Sequence, residues 1–341
     1  ASLGAAIAIK EWLEKNNVKG TVRLYGTPAE EGGSGKVYMV REGLFKDVDT
    51  VLSWHPGSEN VATVKPSLAN RSAKFRFHGV SAHAAAAPHK ARSALDGVEA
   101  FNNMVNLLRE HVPQETRIHY VITEGGHAPN VVPDFAEVYY YVRHPFAENL
   151  KSIWSRVEQA AKGAAMGTGT TVDWEIIHGN HSMLPSKIIA TVMDKNLKIV
   201  GGVAYSKKEQ EFAEKIYLTL NSPELALGSE KIIQPIKYKG SMGSTDVGDI
   251  SWNVPTGEFR SATWVPGTSA HSWQAIAAGG MSIGVKGMQV SVKTLALTAI
   301  DLFENAELVK KAKAELQKRR GKGFKYEPLL GDRAPPLDYR K

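Results

Sequence analysis

Residues 21–33 read Thr-Val-Arg-Leu-Tyr-Gly-Thr-Pro-Ala-Glu-Glu-Gly-Gly, a short apolar run that stops at a Gly-Thr-Pro turn. The run predicts a strand over Thr21–Tyr25, and Thr50–Trp54 predicts a second strand. A helix predicted over Lys36–Phe45 separates them, so we expect a βαβ unit with two parallel strands. The chain therefore begins as an α/β fold, after a first helix predicted over about residues 1–17.

The pattern changes over residues 65–182, where the predicted order βαββαβ matches the ferredoxin-like split βαβ motif. Segments of the other type flank this region, so we interpret it as a domain inserted into another domain that comprises residues 1–64 and 183–341. That second domain is predicted to end in a long helix over residues 290–319. The six elements of the insert are predicted at Ala73–Val80, Arg92–Val112, Arg117–Thr123, Phe135–Val142, Glu148–Met166 and Thr171–Ile177.

Composition excludes several classes of protein. The net charge of +7 equals the excess of eleven basic over four acidic side chains in residues 310–341, so the rest of the chain is neutral. A nucleic-acid binder spreads its basic residues over a folded face, whereas this distribution favours a solvated tail that ends a helix and wraps the surface. No apolar run is long enough to span a membrane, and no basic leader precedes the first helix. The absence of cysteine is compatible with a cytoplasmic location.

Two carboxylates and an imidazole follow the predicted parallel strands. Glu30 and Glu31 come directly after the first strand, and His55 follows the second. Because the carboxyl ends of parallel strands meet at one edge of a sheet, these side chains are expected at the same edge. One carboxylate can bind a divalent ion while the other accepts a proton from water. The alternative is an acidic helix N-terminus, where glutamate is favoured by the helix dipole.

Further polar residues lie in loops. His83 follows the first strand of the insert, and His271 lies where a turn enters a helix, although a lone histidine is more often structural. His178 ends the insert and could face a cleft. Residues 240–249, which include Asp246 and Asp249, form either a binding loop or a long turn.

Taken together, these motifs resemble the M20 metallopeptidase/amidohydrolase family across essentially the whole chain. The resemblance is carried by Pro-Ala-Glu-Glu-Gly-Gly (28–33), Trp-His-Pro (54–56), Ser-Ala-His-Ala-Ala (81–85), Ala-Pro-Asn-Val-Val-Pro-Asp (128–134) and Ala-His-Ser (270–272). It implies a mixed-sheet α/β/α metal-dependent exopeptidase-like catalytic domain with an inserted lid or dimerisation domain. It also implies hydrolysis of an N-acyl or N-aroyl amino acid, such as a folate fragment.

The same resemblance implies roles for individual residues around the metals. Glu30 is expected to be the general base, and Glu31 a metal ligand that bridges two divalent ions of zinc or manganese. His55 and His271 are expected to be further ligands, one toward each ion. The family also has a Gly-His-Asp or Gly-His-Asn segment upstream of a helix like residues 1–17. We therefore expect this chain to supply only part of the ligand set, and a metal-free structure of it is compatible with the resemblance.

The remaining implied roles concern the substrate. His83 is expected to reach the active site of a partner subunit, identical or related, and to stabilise the oxyanion of the tetrahedral intermediate. Asn130, Arg143 and His178 are expected to contact the substrate, with Arg143 as the natural partner of a carboxylate. Two alternatives stay open: a dipeptidase or carboxypeptidase of the same family, and a catalytically incomplete subunit of a heteromeric hydrolase.

Overall fold

The computed structural model describes residues 1–240 and 242–337, so Ser241 of the predicted polar loop and residues 338–341 lie outside it. The helices are α1 Ser2–Lys15, α2 Gly35–Arg41, α3 Ala94–Leu108, α4 Ala147–Thr168, α5 Lys187–Val200, α6 Lys207–Tyr217, α7 Val247–Ser251, α8 Trp273–Gly279, α9 Ser282–Glu304 and α10 Ala306–Arg320. The strands are β1 Val51–Gly57, β2 Val61–Thr63, β3 Ala69–His78, β4 Arg117–Glu124, β5 Phe135–His144, β6 Thr171–Asn180 and β7 Thr256–Ala262.

The first sheet is mixed and has the order β1-β7-β2. Strand β1 is parallel to β7, and β2 is antiparallel to it. Phe259 in the middle of β7 is fully buried against Ile189 and Met193 of α5, in a core that also includes residues of α1 and α9. On the face toward α5, β7 presents Phe259 and, two residues before it, Gly257, which also lies next to Ile189 and Met193.

The predicted strand Thr21–Tyr25 is wrong. This segment belongs to neither sheet and is held by side chains instead: Arg23 pairs with Asp47, and the Tyr25 hydroxyl donates to the Leu44 carbonyl at 2.8 Å. The parallel partner of β1 is therefore β7, some 200 residues further along the chain. Alternating apolar residues indicate a half-buried segment, but they do not indicate which neighbouring strand, if any, forms hydrogen bonds with it.

The second sheet is antiparallel with the order β4-β5-β3-β6, and α3 and α4 pack on one of its faces. The six elements follow one another in the predicted order, each within a few residues of its predicted bounds. The core between the sheet and the helices contains fully buried Phe75, Phe101 and Tyr140, with Trp154 almost fully buried beside them. This unit thus has an apolar core of its own.

The long helix predicted over residues 290–319 is divided in two. Asn305 leaves the helical conformation at φ −127° and ψ 86°, and its side chain accepts a hydrogen bond from the Glu307 backbone. It therefore ends α9 and caps α10, because asparagine satisfies the free N–H groups at a helix start. The apolar spacing continues through the break, which is why periodicity alone predicts a single helix.

The segment after α10 packs against the second sheet and against α2. Leu329 and Leu330 are each 2% exposed, Leu329 in the core of the second sheet and Leu330 against α2. Arg333 forms an ion pair with Glu175 of β6 at 2.8 Å. The expectation of a solvated tail is therefore wrong for these residues, whose two leucines stabilise the junction by apolar burial.

Candidate active site

The four residues predicted at the metal centre line one cleft of about 1200 Å³ beside the first sheet. Glu30 and Glu31 come from the loop before α2, His55 from β1, and His271 from the turn before α8. Glu30 is half-buried, and the other three side chains are exposed. The structure thus brings these residues to one surface, although the Glu30–Glu31 loop follows an irregular segment and not the predicted strand.

The loop that carries Glu30 and Glu31 has unusual backbone geometry. Ala29 has φ +63° and Ser34 φ +55°, a region that non-glycine residues seldom adopt. The Gly33 N–H donates to the Ala29 carbonyl at 2.9 Å, which closes the turn around Glu30. Strained backbone of this kind persists where the surrounding structure enforces it, and it is common at functional sites.

Gly35, the first residue of α2, lies against Pro28 of the loop. Replacing Gly35 with alanine is expected to disturb the site. An added Cβ would lie 1.9 Å from the Pro28 carbonyl oxygen, so the backbone would have to shift. We expect Gly35→Ala to lower the free energy of unfolding by about 1–3 kcal/mol in chemical denaturation. The control is Gly167→Ala in α4, where no described atom beyond the neighbouring backbone of the same helix lies within 4 Å of the added Cβ. Equal stability of the two variants would contradict the close contact.

Glu31 and His271 are neighbours across the cleft. The Glu31 Oε1 and His271 Nε2 atoms lie 3.9 Å apart. His271 itself has φ +58°, in a turn that ends where Ser272 caps α8 by accepting from the Ala275 N–H at 3.2 Å. A carboxylate and an imidazole at this separation fit the mixed oxygen and nitrogen ligand set of zinc or a related ion.

His55 has a defined ring tautomer. Its Nδ1 lies 2.7 Å from the Pro56 carbonyl oxygen, which can only accept, so Nδ1 donates and the neutral form of the ring has its lone pair on Nε2. Ligand histidines in metal sites are oriented by the same type of hydrogen bond to a backbone carbonyl. The chemistry of these donors therefore fits a divalent ion. Within residues 1–240 and 242–337, however, no three such side chains converge on one point.

A buried ion pair anchors the segment after the loop. Lys36 Nζ lies 2.8 Å from Asp246 Oδ1, and the Lys36 backbone N–H donates to Asp246 Oδ2 at 3.0 Å. Asp246 is fully buried, and the Lys36 side chain is 10% exposed. The sequence suggested that residues 240–249 form either a binding loop or a long turn. The structure gives Asp246 a structural role, and no sequence signal identified Lys36 as its partner.

Removing one partner of this pair is expected to destabilise the protein strongly. Lys36→Met would leave the Asp246 carboxylate buried without its counter-charge, at a cost of about 3–5 kcal/mol in the free energy of unfolding. Lys10→Met is the control, because the Lys10–Glu14 pair of α1 is exposed and such pairs contribute about 0.3–0.5 kcal/mol. Urea denaturation of both variants measures the difference, and similar midpoints would refute the buried pair.

His178, which was expected to contact substrate, is 5% exposed and is not among the residues lining the cleft. Its Nδ1 shares a 2.5 Å hydrogen bond with the Oγ of fully buried Ser34. Burial is the main cause that lowers the pKa of His178, so the ring is neutral near pH 7. In this structure His178 joins the end of β6 to the residue that precedes α2.

His83 and Asn130 lie together on the second-sheet unit. His83 forms a β-bridge with Val131, and the Ala84 N–H donates to the Asn130 carbonyl at 3.0 Å. The Ala85 and Ala86 N–H groups both donate to His83 Nδ1 at 3.2 Å, so the neutral ring carries its proton on Nε2. His83 and Asn130 are exposed, and neither lines the cleft that contains Glu30.

Arg143 is the penultimate residue of β5 and is half-buried. Its guanidinium lies 5.5 Å from the centre of the Tyr141 ring, and its Nε is buried with no hydrogen-bond partner among the residues that the structure describes. This residue is also outside the cleft lining, so the structure separates the predicted site residues into a cleft group and a group on the second-sheet unit.

Comparison with known proteins places the chain in a family. Residues 70–169 match the M20 peptidase dimerisation domain. The chain is 39% identical over 343 residues to one of the subunits of the Escherichia coli p-aminobenzoyl-glutamate hydrolase, covering 93% of this chain and 71% of that protein. It is 30% identical to the Xaa-Arg dipeptidase of Mus musculus, covering 93% and 67%.

A solved structure agrees in fold. A Bacillus subtilis protein described as a dinuclear metal binding peptidase from the M20 family superposes with a TM-score of 0.53 at 16% identity, covering 88% of this chain and 70% of that one. The chain therefore belongs to the M20 peptidase family, and it is a metal-dependent amidohydrolase. Its mixed α/β fold with two sheets matches that family. In the part of the chain that the structure describes, no helix is long and apolar enough to cross a membrane.

Proposed function

We propose that the protein hydrolyses the amide bond of an N-acyl or N-aroyl amino acid, with p-aminobenzoyl-glutamate as the leading substrate. The observation that carries this proposal is the set of Glu30, Glu31, His55 and His271 on one cleft. The 39% identity to part of a p-aminobenzoyl-glutamate hydrolase supports the choice of substrate. Such a reaction belongs to the breakdown of folate fragments, and a cytoplasmic location remains a prediction.

Each cleft residue has a proposed task. Glu31, His55 and His271 hold divalent ions, zinc or manganese, as part of a larger ligand set. Bound there, a divalent ion supplies a Lewis acid that polarises the substrate carbonyl and lowers the pKa of water. Glu30 takes the proton of the attacking water and then delivers it to the leaving nitrogen, so that acid and amine form together.

Residues 65–182 are proposed to act as an inserted ferredoxin-like lid or dimerisation domain, with residues 1–64 and 183–341 as the catalytic domain. His83 donates a hydrogen bond from its Nε2–H to the oxyanion in the site of a partner subunit, and the two backbone donors to Nδ1 support this tautomer. Asn130 and Arg143 hold the substrate, and the unpaired Nε of Arg143 is available to its carboxylate. For His178 we propose a positioning role through Ser34 in place of the expected substrate contact.

Two other functions are distinguished by one assay. The 30% identity to a dipeptidase favours peptide substrates as the second candidate. The lack of a three-ligand cluster in residues 1–240 and 242–337 favours a catalytically incomplete subunit as the third. Hydrolysis of p-aminobenzoyl-glutamate should exceed that of dipeptides when both are tested with added zinc or manganese. Turnover of dipeptides alone would identify a peptidase, and turnover of neither substrate would identify the incomplete subunit.

A further inference from the structure

Two cationic side chains, Lys65 and Arg260, line the same cleft. Arg260 is directly opposite His55 in the parallel pairing of β7 with β1, so the two side chains leave the sheet on the same face. Lys65 lies two residues after β2, which pairs with β7 on its other side. Both line the cleft that contains Glu30 and Glu31. Neither residue has a task in hydrolysis as proposed above.

These two cations have no ion-pair partner within the described ranges, unlike other cations nearby. Lys237 forms an ion pair with Glu59 at 2.6 Å, and Arg23, which lines the same cleft, pairs with Asp47 at 2.5 Å. Glu258 precedes Arg260 by two residues on β7, yet it forms no such pair with Lys65 or Arg260 in the described part of the chain. Within residues 1–240 and 242–337, no carboxylate is thus in ion-pair contact with Lys65 or Arg260, although Glu258 and Glu59 attract Lys65 at longer range.

Unsatisfied polar atoms accompany the charges. Among the described residues, the Nε of Arg260 is buried without a hydrogen-bond partner, and so is the Oγ of Ser244, which lines the same cleft. The pKa of Lys65 is lowered, first by burial and then by the positive charges of Arg260 and Lys237, while Glu258 opposes this effect. A cluster of mutually repelling cations with unpaired N–H and O–H groups is stabilised when an anion accepts its hydrogen bonds.

We propose that Lys65 and Arg260, together with Ser244, form an anion-binding subsite that takes the side-chain carboxylate of an acidic amino acid in the substrate. This inference rests on the proposed hydrolysis at Glu30, because the subsite shares the cleft with that residue. A carboxylate there makes charge-assisted hydrogen bonds with both cations. A basic side chain in the same place meets like charges, so the subsite selects glutamate-like substrates against arginine-like ones.

The subsite is tested with two substrates that differ only in charge at the side chain. We expect Arg260→Gln and Lys65→Met to raise KM for p-aminobenzoyl-glutamate about tenfold or more, because each removes a charge-assisted hydrogen bond. KM for p-aminobenzoyl-glutamine and kcat for both substrates should change little. Arg260→Lys, which retains the charge, should recover part of the loss. Arg23→Gln is the matched control, since this arginine of the same cleft is already paired with Asp47.

Direct binding separates this inference from the proposed function. Isothermal titration of the wild-type chain with glutarate should show binding that Arg260→Gln and Lys65→Met each weaken, whether or not the chain turns over an amide. Inorganic phosphate serves as the second ligand. Equal effects of the variants on the glutamate and glutamine substrates, or glutarate binding that they leave unchanged, would overturn the subsite. Binding of phosphate without binding of glutarate would overturn the assignment to a carboxylate.

Discussion

Glu30→Gln is expected to lower kcat for p-aminobenzoyl-glutamate about 10²–10⁴-fold, the usual contribution of a general base. Glutamine keeps the size and polarity of the side chain but cannot accept the proton of the attacking water. Because Glu30 is assigned to proton transfer and Glu31 to metal binding, the metal content of Glu30→Gln should stay close to that of the wild type. Steady-state kinetics and elemental analysis of the same preparation measure both quantities.

Two control variants make this result specific. Glu31→Gln should lose metal and activity together, since it removes a proposed ligand. Glu42→Gln, which changes an exposed carboxylate at the end of α2, should change neither. Wild-type turnover in Glu30→Gln would remove Glu30 from its role as the base. Loss of metal from Glu30→Gln would instead make it a ligand.

Mixing two inactive variants is expected to restore activity if His83 acts in the site of an identical partner subunit. His83→Ala should be nearly inactive alone, because loss of one oxyanion donor costs about 10²–10³-fold in kcat. In mixed dimers with Glu30→Gln, one of the two sites combines a native Glu30 with a native His83. Random exchange of subunits should therefore restore about a quarter of wild-type activity, by the symmetry of a twofold dimer.

The mixing experiment also separates the possible partners. The two variants are denatured together, refolded and assayed, and each variant refolded alone is the control. Recovery only after mixing supports a site shared between identical subunits. Failure to recover, when each variant alone refolds to a dimer, would place His83 outside the partner's site. Recovery that requires a different, related chain would indicate a heteromeric enzyme.

The second sheet could be predicted closely from the sequence, whereas the first could not. Buried and half-buried residues alternate over 73–77 of β3 and 138–144 of β5, so the period that predicts these strands is also the one that buries Phe75 and Tyr140. In the first sheet, β1 pairs with β7 across some 200 residues of chain. No local pattern reports a pairing at that separation, and the expected strand over Thr21–Tyr25 was wrong for this reason.

The residues of the candidate site could also be predicted only in part from the sequence. Glu30, Glu31, His55 and His271 were identified from short motifs, and all four line one cleft. Their roles as base and ligands stay predictions. The Lys36–Asp246 pair could not be identified in advance, because a lysine and an aspartate 210 residues apart carry no local signal. Such an ion pair is identified only from the structure, where both side chains are buried and each neutralises the charge of the other.

The most direct test of the account is metal-dependent hydrolysis of p-aminobenzoyl-glutamate by the wild-type protein. After chelation and removal of the chelator, the protein should be inactive, and titration with zinc or manganese should restore turnover as roughly two ions bind per site. The metal-free protein should remain folded, because the Lys36–Asp246 pair and the apolar cores behind both sheets contain none of the proposed metal ligands. Turnover that survives chelation, or less than about one tightly bound ion in active protein, would contradict a metal-dependent centre at this cleft.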